Sequence, residues 1–129
     1  MAEGGRQHRI LVVEDEDNIA LALNYLMMRE GYQHDRVANG AEALPRIRET
    51  HPDLVLLDVM LPEVSGYEIC QSVRLDPALA DVKILMMTAR GSTIERQKGL
   101  ALGADGFISK PFELKELRTE VRRLLTGEG

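Results

Sequence analysis

Short aliphatic runs recur along this chain, and each gives way to polar residues at its carboxyl end. Ile10-Leu11-Val12-Val13 leads into Glu14 and Asp15, Leu54-Val55-Leu56-Leu57 into Asp58, Ile84-Leu85-Met86-Met87 into Thr88, and Gly106-Phe107-Ile108-Ser109 into Lys110. Such runs read as buried strands. Between them lie segments with helical spacing: Ile19, Leu23, Leu26 and Met27 within residues 17–30, and Leu114, Leu117, Val121, Leu124 and Leu125 within residues 113–125. Strands alternating with helices leave few topologies, namely a mostly parallel sheet covered on both faces through right-handed crossovers. In such a sheet the five polar positions gather at one carboxyl edge, where open α/β sheets bind ligands.

Punctuation fixes the other elements. A strand at 9–13 precedes the first helix, which Gly31 stops. Residues 32–37 form a more polar strand, expected at an edge of the sheet. Asn39-Gly-Ala-Glu42 has capping-box spacing and opens a helix to about residue 50, in which Pro45 either kinks the first turns or delays the start. The most apolar strand, 53–57, is followed by a loop with Pro62 and Gly66 and by a helix to about Leu75, broken at Asp76-Pro77. Strands at 82–87 and 105–109 flank a short helix opened by Ser92-Thr-Ile-Glu95 and ended by Gly103. With Gly99 inside it and few large apolar residues, that helix is expected to be the least stable. Residues 1–8 and 126–129 are expected as loose ends of a unit spanning 9–125.

A chain of 129 residues that is 44% hydrophobic suits one domain with a real core. Two phenylalanines, three tyrosines and no tryptophan make that core aliphatic. A net charge of −5 argues against non-specific nucleic-acid binding. No apolar run approaches bilayer length, and the first eight residues lack the apolar segment of a secretory signal. The single cysteine, Cys70, cannot form an internal disulfide and reads as a packed small apolar residue. These features together lead us to expect a cytoplasmic protein. His8, His34 and His51 show no metal-ligand spacing and read as surface or terminal residues.

The carboxyl-edge residues carry the chemistry. Glu14 and Asp15 precede a helix and would complement its dipole. Asp58, however, ends the most buried strand, where an unpaired carboxylate is costly. Three acids together repel unless a cation joins them, and an all-oxygen donor set suits Mg²⁺. The short side chain of Asp58 fixes its oxygens, and a carboxylate is a competent nucleophile toward phosphorus when cations screen the repulsion. Thr88 would then donate to one phosphoryl oxygen and Lys110 pair with another. A cis bond at Lys110-Pro111 would turn the chain sharply and aim the lysine inward.

Four segments, Ile-Leu-Val-Val-Glu-Asp-Glu (10–16), Asp-Leu-Val-Leu-Leu-Asp-Val-Met-Leu-Pro (53–62) with Gly66, Met-Met-Thr-Ala-Arg (86–90) and Gly-Ala-Asp-Gly-Phe-Ile-Ser-Lys-Pro-Phe (103–112), resemble the receiver domain of two-component response regulators. The resemblance covers about residues 8–125. It implies a flavodoxin-like (βα)₅ fold with strand order 2-1-3-4-5. It implies phosphoryl transfer to Asp58 from a phosphohistidine on a sensor histidine kinase or a histidine phosphotransfer protein. Mg²⁺, with Mn²⁺ as a substitute, would be held by Glu14, Asp15 as a direct ligand, Asp58 and the Met60 carbonyl. Thr88 and Phe107 would be the switch pair, with Thr88 moving toward the phosphoryl group and Phe107 rotating into the space it leaves. Met60 and Arg90 would tune phosphoryl lifetime, and Lys110-Pro111 would be cis.

Output would pass through the fourth helix, fifth strand and fifth helix to an effector, from a monomer or a phosphorylation-dependent dimer, with no direct nucleic-acid or membrane binding by this chain. Arg96, Lys98, Asp105, Glu113 and Arg118 are expected on that face. One family branch dimerises there through a charged set, but Gly106 and Glu120 stand where it has an acid and an arginine. Three rival readings stand beside this one. A haloacid-dehalogenase-type phosphatase needs a second acid where Met60 lies. A flavodoxin needs a Ser/Thr/Gly-rich loop where Glu14-Asp-Glu-Asp lies. A non-phosphorylated receiver-like interaction module usually lacks part of the site, which is filled here.

Overall fold

The computed structural model describes residues 7–89 and 93–127. Five β–α units follow one another: β1 (Arg9–Val13), α1 (Asp17–Arg29), β2 (Gln33–Val37), α2 (Gly40–Thr50), β3 (Leu54–Asp58), α3 (Gly66–Leu75), β4 (Lys83–Thr88), α4 (Thr93–Ala101), β5 (Gly106–Ser109) and α5 (Leu114–Thr126). A short 3₁₀ turn, Pro77–Leu79, separates α3 from β4. The sheet order is β2-β1-β3-β4-β5 with every neighbouring pair parallel, which is the flavodoxin-like order expected. The polar strand β2 lies at an edge, as its sequence implied.

Because successive strand residues face opposite ways, each central strand feeds two cores. Ile10, Val12, Leu54, Leu56, Leu85, Met87 and Ile108 pack under α1 and α5 with Leu23, Leu26, Met27, Leu117, Val121 and Leu124. Leu11, Val13, Val55, Leu57, Ile84, Met86 and Phe107 pack on the other side with Ala43 and Ile47 of α2 and Ile69, Cys70 and Val73 of α3. Helix α4 lies on this second side and buries only Gly99. A Cβ on Gly99 would lie 2.9 Å from Met86 Sδ and 3.1 Å from Phe107 Cε2, so its bare backbone sits directly on the core. Among the described residues no helix is long and apolar enough to cross a membrane.

Local signals account for the helix ends. Asn39 Oδ1 accepts from the Glu42 N–H, while its amide donates to the Glu42 carboxylate rather than closing a full capping box. Pro45 does not delay α2. The proline and Ala41 one turn back are both exposed, so the carbonyl that loses its N–H partner can be hydrated. Ser65 and Glu68 form a reciprocal capping box at α3, a spacing present in the sequence but overlooked in reading it. Ser92, expected to cap α4, lies outside the described residues. Leu114 departs from expectation. It is 40% exposed, because the first turn of α5 rises beyond the end of β5 and meets Ile19, Pro111 and Phe112 at a surface groove rather than the core.

Candidate functional site

Strand register brings the polar residues together. Val13 pairs with Leu57, Asp58 with Met87 and Thr88 with Ser109. Glu14, Asp58, Thr88 and Lys110 therefore stand side by side at one sheet edge. Backbone bonds lock the strand ends, with Val59 N–H donating to Met87 O (2.9 Å), Lys110 N–H to Thr88 O (2.6 Å) and Glu14 N–H to Val37 O (3.1 Å). Gly66 lets α3 approach, since any Cβ there would overlap the Asp58 carbonyl oxygen. The Lys110-Pro111 peptide is cis, as the resemblance implies.

Lys110 is the hub. Its Nζ lies 2.8 Å from Glu14 Oε1 and 3.3 Å from Asp58 Oδ2. Burial lowers its pKa, but the bonds and charges of Glu14 and Asp58 outweigh this, and the net shift is upward. The amine is therefore a fixed cation. Asp58 is 3% exposed and also accepts from the Met60 N–H at 3.2 Å. Burial, then the Glu14 charge, push its carboxyl up to about 6 against the opposing pull of Lys110. One ammonium thus leaves the carboxylates undercompensated.

One oxygen from each of Glu14, Asp15 and Asp58 lies within 4.8 Å of the others, and this donor set fits Mg²⁺. Glu14 is fully buried, with Oε1 held by Lys110 and Oε2 by the Glu16 N–H at 3.1 Å. Asp15 is exposed. That division leaves the exposed Asp15 carboxylate and the remaining lone pairs of Asp58 for direct ligation, while Glu14 orients the lysine.

Other residues were less legible. Met60 is 73% exposed beside Asp58, and Arg90 lies outside the described residues. Phe107 is 6% exposed, so the ring expected to rotate inward is already inside. Thr88, 1% exposed, donates from Oγ1 to Glu95 Oε1 at 3.0 Å. Arg36 was also missed. Its Nε donates to Glu14 O at 2.9 Å and its Nη1 pairs with Asp17 at 2.9 Å, clamping the β1–α1 loop that carries the acids. Only its place just before the end of β2 could have singled it out. On the expected output face, Arg96 and Lys98 are exposed, but Asp105 is half-buried. It pairs with Arg74 Nη2 at 2.6 Å and accepts from the Ile84 N–H at 2.8 Å.

A family model described as the response regulator receiver domain matches residues 10–122. The phosphate regulon transcriptional regulatory protein PhoB of Rhizobium meliloti is 44% identical over 117 residues, which are 91% of this chain and 52% of that protein. The DNA-binding response regulator MtrA of Mycolicibacterium smegmatis is 41% identical over 119 residues, 92% of this chain and 51% of that protein. The chain therefore spans about half the length of these curated relatives. Among solved structures, chemotaxis protein CheY4 of Vibrio cholerae superposes with a TM-score of 0.87 at 30% identity, covering 93% of this chain and all of that one.

Proposed function

The chain belongs to the response regulator receiver domain family, and we propose that Asp58 is its phosphoacceptor, charged from a phosphohistidine on a sensor kinase or phosphotransfer protein. One observation carries this reading: a buried aspartate stands 3.3 Å from a fixed ammonium, with two further carboxylates within 4.8 Å, at the edge where the strands of the sheet end. An Asp58 oxygen attacks phosphorus in line, the P–N bond to the imidazole breaks, and the freed ring nitrogen keeps the bonding pair as a neutral base. Lys110 balances charge on one phosphoryl oxygen and the Thr88 hydroxyl donates to another. Mg²⁺, held by Asp15, Asp58 and the Met60 carbonyl, would supply the remaining positive charge that lets two anions meet. Mn²⁺ would serve in its place.

The protein is a signalling domain, and the slow chemistry it carries out is on itself. Met60 cannot orient a water as an amide side chain can, so self-hydrolysis is expected to be slow to moderate, with Met60→Asn accelerating it. Arg90 is the second tuning position. The names of the relatives point to a DNA-binding effector reached through α4, β5 and α5. The phosphatase reading is disfavoured because no acid stands at position 60.

Mass spectrometry after incubation with acetyl phosphate and Mg²⁺ tests the assignment. One added phosphoryl group on the wild type and none on Asp58→Asn is the expected result. Equal labelling of the variant, or sustained multiple-turnover release of inorganic phosphate, would overturn it.

A further inference from the structure

Glu95 is not among the acids at the sheet edge, yet it holds one of the groups expected to act there. It lies half-buried in the first turn of α4, and its Oε1 accepts the Thr88 hydroxyl proton at 3.0 Å. One turn on, Lys98 Nζ sits 4.4 Å from the centre of the Tyr67 ring on α3. Burial and then the Glu95 charge shift the Tyr67 phenol upward. The polar edge of α4 is thus fastened to β4 and to α3. Phe107, in contrast, is already buried, with its ring packed beneath Gly99. The Thr88 hydroxyl is held to α4 through Glu95 and stands at the sheet edge beside Asp58.

A hydroxyl has one proton to donate, and it serves one acceptor at a time. We propose that Glu95 is a positioning residue that keeps the Thr88 hydroxyl turned toward α4, so that a phosphoryl group on Asp58 must win it from Glu95 and in doing so releases the first turn of α4. The inference rests on Asp58 being the phosphoacceptor. Because the acceptor is a carboxylate, the bond is charge-assisted and roughly twice as strong as one to a neutral group. An amide at the same position keeps an acceptor oxygen but holds the hydroxyl less firmly.

Calorimetric titration with fluoroberyllate in the presence of Mg²⁺ tests this on the wild type, Glu95→Gln and Glu95→Ala, each repeated in a Thr88→Ala background. Glu95→Ala is expected to bind about tenfold more tightly than the wild type, the scale of one hydrogen bond to a charged group, with Glu95→Gln in between. Without the Thr88 hydroxyl, changes at position 95 should make no difference. An equal gain for Gln and Ala that persists in the Thr88→Ala background would be a general charge effect and would overturn the role given to Glu95. Unchanged affinity in both Glu95 variants would do the same. Failure of the wild type itself to bind fluoroberyllate would instead remove the Asp58 assignment and Glu95's role with it. Glu95→Gln preserves the shape of the helix, so the test survives if the alanine variant folds poorly.

Discussion

Helices α5 and α4 flank the same strand, β5, but are attached to the protein by different means. The 13 residues of α5 bury Leu117, Val121 and Leu124 in the core it shares with α1. The nine residues of α4 bury only a glycine, leave Ile94 and Leu100 exposed, and rely on Thr88–Glu95 and Lys98–Tyr67. Removing apolar area from water is non-directional and cannot be reassigned by a single new group. A hydrogen bond can be handed from one acceptor to another. The contrast makes α5 scaffold and, if Glu95 holds Thr88 as proposed, α4 the element that a new anion at the sheet edge can redirect.

The strongest challenge to this contrast is Leu117→Ala. Truncating a fully buried leucine should cost about 2–5 kcal/mol, read from the urea midpoint of unfolding. A loss below 1 kcal/mol would mean that α5 is not the anchor described. Cys70 offers a probe of the opposite side, because its Sγ–H donates to the Leu102 carbonyl just beyond α4 at 3.5 Å. Burial pushes this thiol from 9.0 up to about 11. At pH 8 ionisation alone makes native alkylation about a hundredfold slower than for an unperturbed thiol. Labelling faster than global unfolding allows would reveal separate opening at the α4 end. The folded-state pKa lies above the unfolded one, so the unfolded chain releases this proton first. The thiol's contribution to stability is therefore lost as pH rises from about 9 toward 11.

Gly99→Val places a branched side chain against Met86 and Phe107. It is expected to destabilise by about 1–3 kcal/mol, with increased amide exchange confined to α4 and β5. Exchange spread evenly over the protein would show α4 to be as integral as α5. The smallest effect is expected from Lys98→Met, which removes a cation over Tyr67 worth about 0.5–1 kcal/mol at an exposed position. Its loss should raise exchange in α4 while leaving the unfolding midpoint nearly unchanged.

The sequence could be read furthest where apolar pattern and burial coincide. Uninterrupted aliphatic runs made β1, β3 and β4 unambiguous, and parallel pairing then obliged Glu14, Asp58, Thr88 and Lys110 to meet. Reading failed where position depends on helix phase or on empty space. The partnership of Glu95 with Thr88 depends on the rotation of α4 about its axis, which a helix with almost no apolar face does not encode. Phe107 packs directly beneath Gly99, a close approach that depends on a missing side chain and so leaves no apolar signal in the pattern of α4. Leu114 satisfied the periodicity of α5 but lies above the last rung of the sheet, where it meets a surface groove rather than the core.

The pair formed by Glu14 and Lys110 joins positions 96 residues apart. During synthesis both carboxylates of the first loop, and later Asp58, leave the ribosome well before the amine that pairs with Glu14 and Asp58. A partly made or C-terminally clipped polypeptide therefore displays an acidic trio without its counter-charge and lacks the strand that closes the pocket. The site is thus complete only once nearly the entire domain has been translated and assembled.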